Sequence, residues 1–562
     1  MEKSLPKFTI GAIATAQAIA LTLLYQSIEH QVWPATNLSW LIALVTLSIS
    51  LPSLLLFCIK GDNVKSSLKY LLPFTLLISL LGAYVGYQQE PQERLDNFIV
   101  VIIFIFTTLV ACFKALMYIQ QYLTKHDINY QQMFSLSWQN GIIFLESNLF
   151  TLIFWLILLL GAALFNVLGI TFFMDLLKES WFVIPVLTLA FSSSIIIFRQ
   201  IDHTADYIAV VLQSLMKFLL PILAIISISF LITLPVVGAQ KLWDTGSGSL
   251  LLLWLQALTL FFTNAVFQPG KQVQIYRPYI KKLVVTAIAI LPIYSAISAY
   301  GLWLRVEQYG LSVDRCWALL IWFLLACFAI GYLVALIRDR EHWLIGVGKI
   351  NIQMGRGVLL TMLLVNTPLL NFQSISANSQ VSRYLSNPEI EIDFSYFERS
   401  LGRQGYLAVL DVRAQLSESE QLRIDKMYAK KLKNDEQYTL VQFKENSSYW
   451  PNQQSFDASL INAVYQDAEK RRYGRRPNSE SYYFIAIDLN NDDEAEYIVI
   501  KEDHRITNAY LWTMAEQWQR RYLSVSNKDA RAFREAIKSN QVSVIKPKYN
   551  DVKIGDSLIQ VN

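Results

Sequence analysis

The chain has 562 residues, of which 54% are hydrophobic and only 16% charged, and its net charge is +4. That balance excludes a string of ordinary soluble domains and points to a membrane protein. The small charge implies no nucleic-acid partner, since it reflects basic loops facing one leaflet.

The average hides a division. The first 372 positions hold 17 acidic and 22 basic residues, whereas the last 190 hold 27 acidic and 26 basic ones. The first part is built for lipid and the second for water. The expected architecture is a membrane all-α bundle of about 11 transmembrane helices over 1–372, followed by a soluble α+β domain over 373–562.

Taken in chain order, apolar runs long enough to cross about 30 Å of hydrocarbon predict spans at Phe8 to Ile28, Leu38 to Ile59, Leu68 to Tyr87, Phe98 to Ile119 and Leu149 to Ile170. Further spans are predicted at Trp181 to Phe198, Phe218 to Val237, Leu250 to Phe267, Leu283 to Trp303 and Trp317 to Ile337. An eleventh segment, Gly357 to Phe372, is short and contains Pro368, so it reads either as a short span or as an interfacial helix. Lys3 and Lys7 precede the first run as in a signal peptide, but the run is long and lacks a small-x-small cleavage site, so it is read as a retained span. Between the fourth and fifth spans, the polar stretch Lys114 to Asn148 predicts an amphipathic helix on the inner surface.

Orientation follows from the basic residues of the loops, which resist translocation. With the N-terminus inside, the inner set of 17 includes Lys60, Lys114, Arg199, Lys281, Arg338 and Arg356, against five outside: Arg94, Lys178, Lys241, Arg305 and Arg315. This predicts a bacterial inner-membrane protein with a cytoplasmic N-terminus. The compartment of the C-terminal domain then turns on the eleventh segment, and crossing places it in the periplasm.

Charges are expected at span ends, as for Glu146, Asp175, Asp202 and Asp206, while the spans carry mild polar groups such as Gln17, Gln256, Asn264 and Asn366. This argues against a carboxylate-driven proton pump and for hydrogen bonds between helices. Pro185, Pro221, Pro235 and Pro292 read as kinks, or as the broken helices of transporters. The four cysteines lie in or beside apolar runs, which speaks against disulfides and thiolate zinc sites.

Several stretches are specific beyond hydropathy: FTLIFWLILLLGAALFNVLGITFF from Phe150, LPVVGAQKLWDTGSGSLLLL from Leu234, FTNAVFQPG from Phe262, RVEQYGLSVDR from Arg305, and SISANSQVSRYLSNPEIEIDFSYFERSLGRQGY from Ser374. Together they resemble a bacterial membrane family known only as domain of unknown function 4153. The resemblance runs from the fifth span into the soluble part and implies architecture, with no activity to carry over. Its motifs direct attention to an outer loop before the tenth span. There Ser312 is expected to cap a helix with Asp314 in its first turn and Gly310 making the turn before it. Tyr309 and Arg315 are candidate binding residues in that loop. Gln380 and Arg383 follow the last membrane segment, where an amphipathic helix joins the two parts or serves as a ligand-gated joint.

In the soluble part, helices are expected at Glu418 to Lys433, Asp457 to Arg472 and Lys528 to Lys538, and strands at Tyr482 to Ile487 and Tyr497 to Ile500. Between the two strands, Asp488, Asn490, Asp492, Glu494 and Glu496 alternate as oxygen ligands do around calcium. The loop departs from an EF-hand, with Asp493 where glycine belongs and Val499 at the bidentate acid's place. A solvated acidic turn and a structural Ca2+ loop both fit it. The run from Lys470 to Pro477 sets five basic side chains around Tyr473, which suits a solvated face or contact with anionic lipid headgroups.

No catalytic set is visible. The five histidines are scattered, and GxSxG, P-loop, Rossmann and HExxH motifs are absent. Three function classes follow, in this order: a membrane-anchored sensor or scaffold engaging envelope proteins or lipid, a solute transporter or channel, and an enzyme modifying envelope lipid or glycan.

Overall fold

The computed structural model describes residues 7–60, 63–92, 95, 99–124, 128–201, 204–238, 240–244, 246–267, 275–387, 390, 392–428, 439–445, 447–451, 456–470, 480–489, 495–503, 506–514, 517–523, 552–554 and 557–559. They pack into two compact units, Met1–Glu90 with Leu95–Val412, and Pro91–Arg94 with Arg413–Asn562.

The first unit is all helical. Its apolar runs form α1 (Lys7–Glu29), α2 (Leu38–Cys58), α3 (Val64–Tyr87), α4 (Ile99–Thr124), α5 (Tyr130–Val167), α6 (Phe172–Leu176), α7 (Ser180–Gln200), α8 (Thr204–Val237), α9 (Gln240–Asp244), α10 (Gly248–Val266), α11 (Pro278–Ala289), α12 (Leu291–Tyr309), α13 (Val313–Asp339) and α14 (Trp343–Leu364). Among the described residues, 10 stretches are long and apolar enough to span a bilayer, and the last of them, Val313–Leu364, contains both α13 and α14. The protein is therefore a multispanning helical membrane protein with a C-terminal α+β region.

Three sequence expectations change. The stretch Lys114 to Asn148 is not a separate surface helix: α4 continues through Lys114 to Thr124, and α5 begins at Tyr130 and runs unbroken for 38 residues. Polar side chains are tolerated there because they satisfy one another. Asn140 donates to Gln120 over 2.7 Å, Gln121 donates to the Asn129 carbonyl over 2.7 Å, and Asn129 caps α5 at the Gln131 amide. The eleventh segment also shifts. It is the 22-residue α14, starting at Trp343, and Pro368 lies beyond it in a short turn, Pro368–Leu370. Glu146, expected at a span end, falls within α5.

A three-residue turn, Arg340–His342, folds α14 back along α13. Gly346 faces Ala335 and Asp339, and Gly331 faces Ile350, so the two helices are antiparallel. Helices α2 and α3 pack closely. Ser79 donates to the Ala43 carbonyl over 2.8 Å. A Cβ on Gly86 would lie 2.4 Å from the Leu38 carbonyl oxygen, and one on Gly82 would lie 2.9 Å from the Thr46 hydroxyl. This Gly82-x-x-x-Gly86 face is what lets two backbones meet without a hydrophobic drive between them.

Buried side chains form two large groups, with a smaller cluster of Met117, Tyr118 and Met133 between α4, α5 and α14. One joins α1 to α5 and α7 through Ile10, Leu56, Leu71, Ala115, Ile143 and Ile195. The other joins α8 and α10 to α14 through Leu220, Leu260, Ile288, Tyr294, Tyr332 and Trp343. The first unit continues past Phe372, where the apolar spans end, through α15 (Phe372–Ser386), α16 (Phe394–Ser400) and α17 (Gly402–Val412). Arg403 on α17 donates to the Glu90 carbonyl and the Tyr87 hydroxyl at the end of α3, over 2.7 and 2.9 Å.

The second unit contains α18 (Glu418–Met427), α19 (Leu440–Glu445), β1 (Ser447–Trp450), α20 (Ala458–Lys470), β2 (Glu480–Ile487), β3 (Glu496–Asp503), β4 (Ile506–Met514) and β5 (Trp518–Leu523). The sheet order is β1-β2-β3-β4-β5, parallel at β1/β2 and antiparallel elsewhere. The parallel pair is bridged by α20, whose Leu460, Ile461 and Val464 bury against Phe484, Val499 and Trp512. Asp467 on α20 pairs with Arg520 on β5 over 2.8 Å. The helix expected at Lys528 to Lys538 lies outside the described residues.

Gly86→Ala is expected to destabilise the detergent-solubilised protein by about 1–3 kcal/mol, as overpacking does. Gly161→Ala, which meets open space, serves as the control. Thermal melts followed by size-exclusion recovery check the difference, and equal melts would refute the close α2/α3 packing.

Candidate functional site

Two places in the first unit gather polar chemistry. The first unites Tyr309, Arg315, Gln380 and Arg383 around the α12–α13 loop. Helix α12 ends at Tyr309, and Gly310 takes φ 68°, so the carbonyls of the last turn lose their helical donors. Side chains replace them. Arg315 donates to the Gly310 carbonyl over 2.7 Å and lays its guanidinium on the Tyr309 ring, 5.3 Å from the centroid. Gln380 on α15 donates to the Tyr309 and Leu311 carbonyls over 3.0 and 2.8 Å, and Arg383 to the Gln308 carbonyl over 2.7 Å. Ser379 accepts from the Leu311 amide over 2.9 Å.

Ser312 caps α13 at the Arg315 amide with Asp314 in the first turn, as the sequence implied. The Tyr396 hydroxyl of α16 accepts from the Val313 amide over 2.8 Å and meets Ser376 at 3.0 Å. Burial raises its pKa above the ordinary tyrosine value, opposed by these hydrogen bonds. Chemically this is a backbone joint, in which Arg315, Gln380 and Arg383 are engaged by carbonyls.

The acidic hairpin is only partly described: Asn490, Asp492 and Glu494 lie outside the described residues. Asp488 follows β2, and Glu496 opens β3, where its carboxylate accepts from the Leu489 amide over 2.7 Å. Among the described residues no group of three or more His, Cys, Asp or Glu side chains is placed to hold a metal. In the basic run, residues 471–479 also lie outside the described residues.

Of the second place the sequence points only to Asn264, as a residue for hydrogen bonds between helices. A cavity of about 410 Å³ opens where the two helix groups meet, lined by residues of α4, α5, α8, α10, α13 and α14. Its polar end is a network across four helices. Asn351 on α14 donates to the Tyr130 hydroxyl of α5 and to the Asn264 side-chain oxygen of α10, each over 2.7 Å. The fully buried Tyr332 of α13 lies 2.6 Å from the Asn351 oxygen and 2.8 Å from that of Asn264. Tyr130, Asn264 and Asn351 line the cavity, as does Lys114 of α4.

Lys114 had been counted among loop residues, yet it stands within a candidate span. Among the described residues its ammonium has no ion-pair partner. The signal that was available is its spacing: Lys114 falls inside the apolar run Phe98 to Ile119, where an ionisable group is costly and usually functional.

These features define a polytopic membrane protein with a largely apolar cavity, edged by a polar network, at a seam between two helix groups. The chain belongs to the family described as "Domain of unknown function (DUF4153)", which it matches over residues 6–412, ending where the first compact unit ends. No curated protein and no solved structure matches it.

Asn351→Leu removes the network's central amide and leaves Tyr130, Asn264 and Tyr332 short of partners. It is expected to cost about 1–3 kcal/mol, while Gln353→Leu on the exposed side of α14 leaves the melting temperature within error. Matching melts for the two variants would show that the network carries no stability.

Proposed function

We propose that the protein is a bacterial inner-membrane sensor or scaffold with its N-terminus in the cytoplasm and its C-terminal α+β unit in the periplasm. The observation that carries this reading is the docking of α15 on the carbonyls of Gln308, Tyr309 and Leu311. The chain after α14 therefore lies at the end of the bundle holding the α12–α13 loop, opposite the α13–α14 turn with its Arg338 and Arg340. Basic residues mark the side that stays in the cytoplasm, so α14 completes an odd number of crossings and delivers the second unit to the other side.

A second reading, solute transport, draws on the cavity at the seam between helix groups, a usual place for a binding site in a bundle.

Alkaline phosphatase fused at the C-terminus is expected to be active, and a green fluorescent protein fused at the same point dark. The opposite pattern would overturn the topology. Proteoliposomes of the full chain are expected to show no solute flux, and measurable flux would replace the scaffold reading with transport.

A further inference from the structure

The cavity has the shape and chemistry of an amphiphile's binding site. Its lining includes Lys114, whose ammonium has no counter-charge among the described residues, and Asn264, whose amide nitrogen makes no hydrogen bond among them. Also in the lining are Leu145, Leu212 and Phe261, which are 66%, 37% and 52% exposed on the surface of the bundle. Apolar side chains exposed on membrane-spanning helices face lipid. The cavity therefore borders lipid and has an unmatched cation in its lining.

Its level in the membrane agrees. At about 1.5 Å per residue, the 38-residue α5 is nearly twice as long as the roughly 30 Å hydrocarbon layer. The apolar run of α5 begins at Leu149, and the cavity-lining residues from Tyr130 to Leu145 precede it. Tyr130 and Trp138, amphipathic aromatics in the wall, belong at headgroup depth. A volume of about 410 Å³ accommodates a headgroup and the first part of a chain, with the remaining tail running out over Leu145 and Phe261.

We infer that this seam cavity binds an anionic phospholipid, its phosphate on Lys114 and its headgroup on the Asn264 amide. A free phosphate or a soluble organic phosphate offers the same anion without the tail, so the two sources are separable. The full chain in detergent is titrated with phosphatidylglycerol or phosphatidylcholine brominated on the acyl chain, and the part of tryptophan quenching lost in Trp138→Phe reports the cavity.

Phosphatidylglycerol is expected to bind about five-fold more tightly than phosphatidylcholine, the factor one lysine contributes toward an anionic lipid. Lys114→Met should abolish that preference and Lys114→Arg keep it, and excess inorganic phosphate should leave the quenching unchanged. Equal quenching by the two lipids, or an undiminished preference in Lys114→Met, overturns the inference. Relief of quenching by inorganic phosphate assigns the cavity to a free anion and overturns the lipid. Should Lys114→Met not fold, the comparison of the two lipids on the wild-type chain still decides.

Discussion

Where α12 gives way to α13, four successive carbonyls, from Gln308 to Leu311, leave the helical ladder at once, and the position of α15 depends on how they are satisfied. A backbone acceptor left unpaired near lipid costs several kcal/mol. Here Arg315 serves two of them from within α13, and Gln380, Arg383 and Ser376 serve the rest from α15. The cations also lie at the negative end of the α12 dipole. Since the acceptors are backbone atoms, the docking tolerates side-chain changes in the loop itself but not loss of the donors. Phe372 against Trp317, at 5.2 Å, and Asn371 on the Tyr84 hydroxyl, at 2.9 Å, fix the beginning of the same helix.

The other organising constraint is the seam. Each helix group has its own apolar core, and the two are joined both by apolar packing, as of Met117 and Met133 on Ile352 and of Leu359 on the first core, and by polar contacts: Asn351 to Tyr130, the Tyr118 hydroxyl to the Ile352 carbonyl at 2.6 Å, and Asn366 to Thr107 at 2.8 Å. All three polar contacts run from α14, or the turn after it, to α4 or α5. Helix α14 thus packs with both groups, bonds to the first, and leads to α15. A helix with three attachments of this kind has its height and rotation set, which explains why a segment of modest hydropathy holds its place through the bundle.

Much of this was legible in the sequence, and the gaps have physical causes. Span positions came from hydropathy, which measures transfer to lipid. The Ser312 cap and the Gly310 turn were readable because capping is local. Hydropathy failed on α14 because Lys349, Asn351 and Arg356 lower its average, although Asn351 is matched by three partners and Arg356 lies 5.9 Å over the Tyr118 ring. It failed on Lys114 because a single charge was assigned to the nearest loop. The candidate residues at 309, 315, 380 and 383 do converge, 65 residues or more apart in pairs such as Arg315 and Gln380, but no local signal says that their partners are carbonyls. The cavity depends on contacts between α4, α5, α10 and α14 that no single-sequence period encodes.

The arginines clarify what Lys114 is for. Arg199 caps the end of α2 at the Leu56 and Ile59 carbonyls, Arg403 caps the end of α3, and Arg315 and Arg383 cap α12. In each case a planar fork with several donors meets fixed carbonyls, the geometry for which guanidinium is suited. These charges are structural and already matched. Lys114 is the contrasting case: a compact ammonium on a flexible stem, within a candidate span, beside a cavity, and with no matching group among the described residues. A cation in that position is tolerated when its counter-charge arrives from outside the chain. The lipid-facing wall made by Leu145, Leu212 and Phe261 indicates the side from which that charge comes.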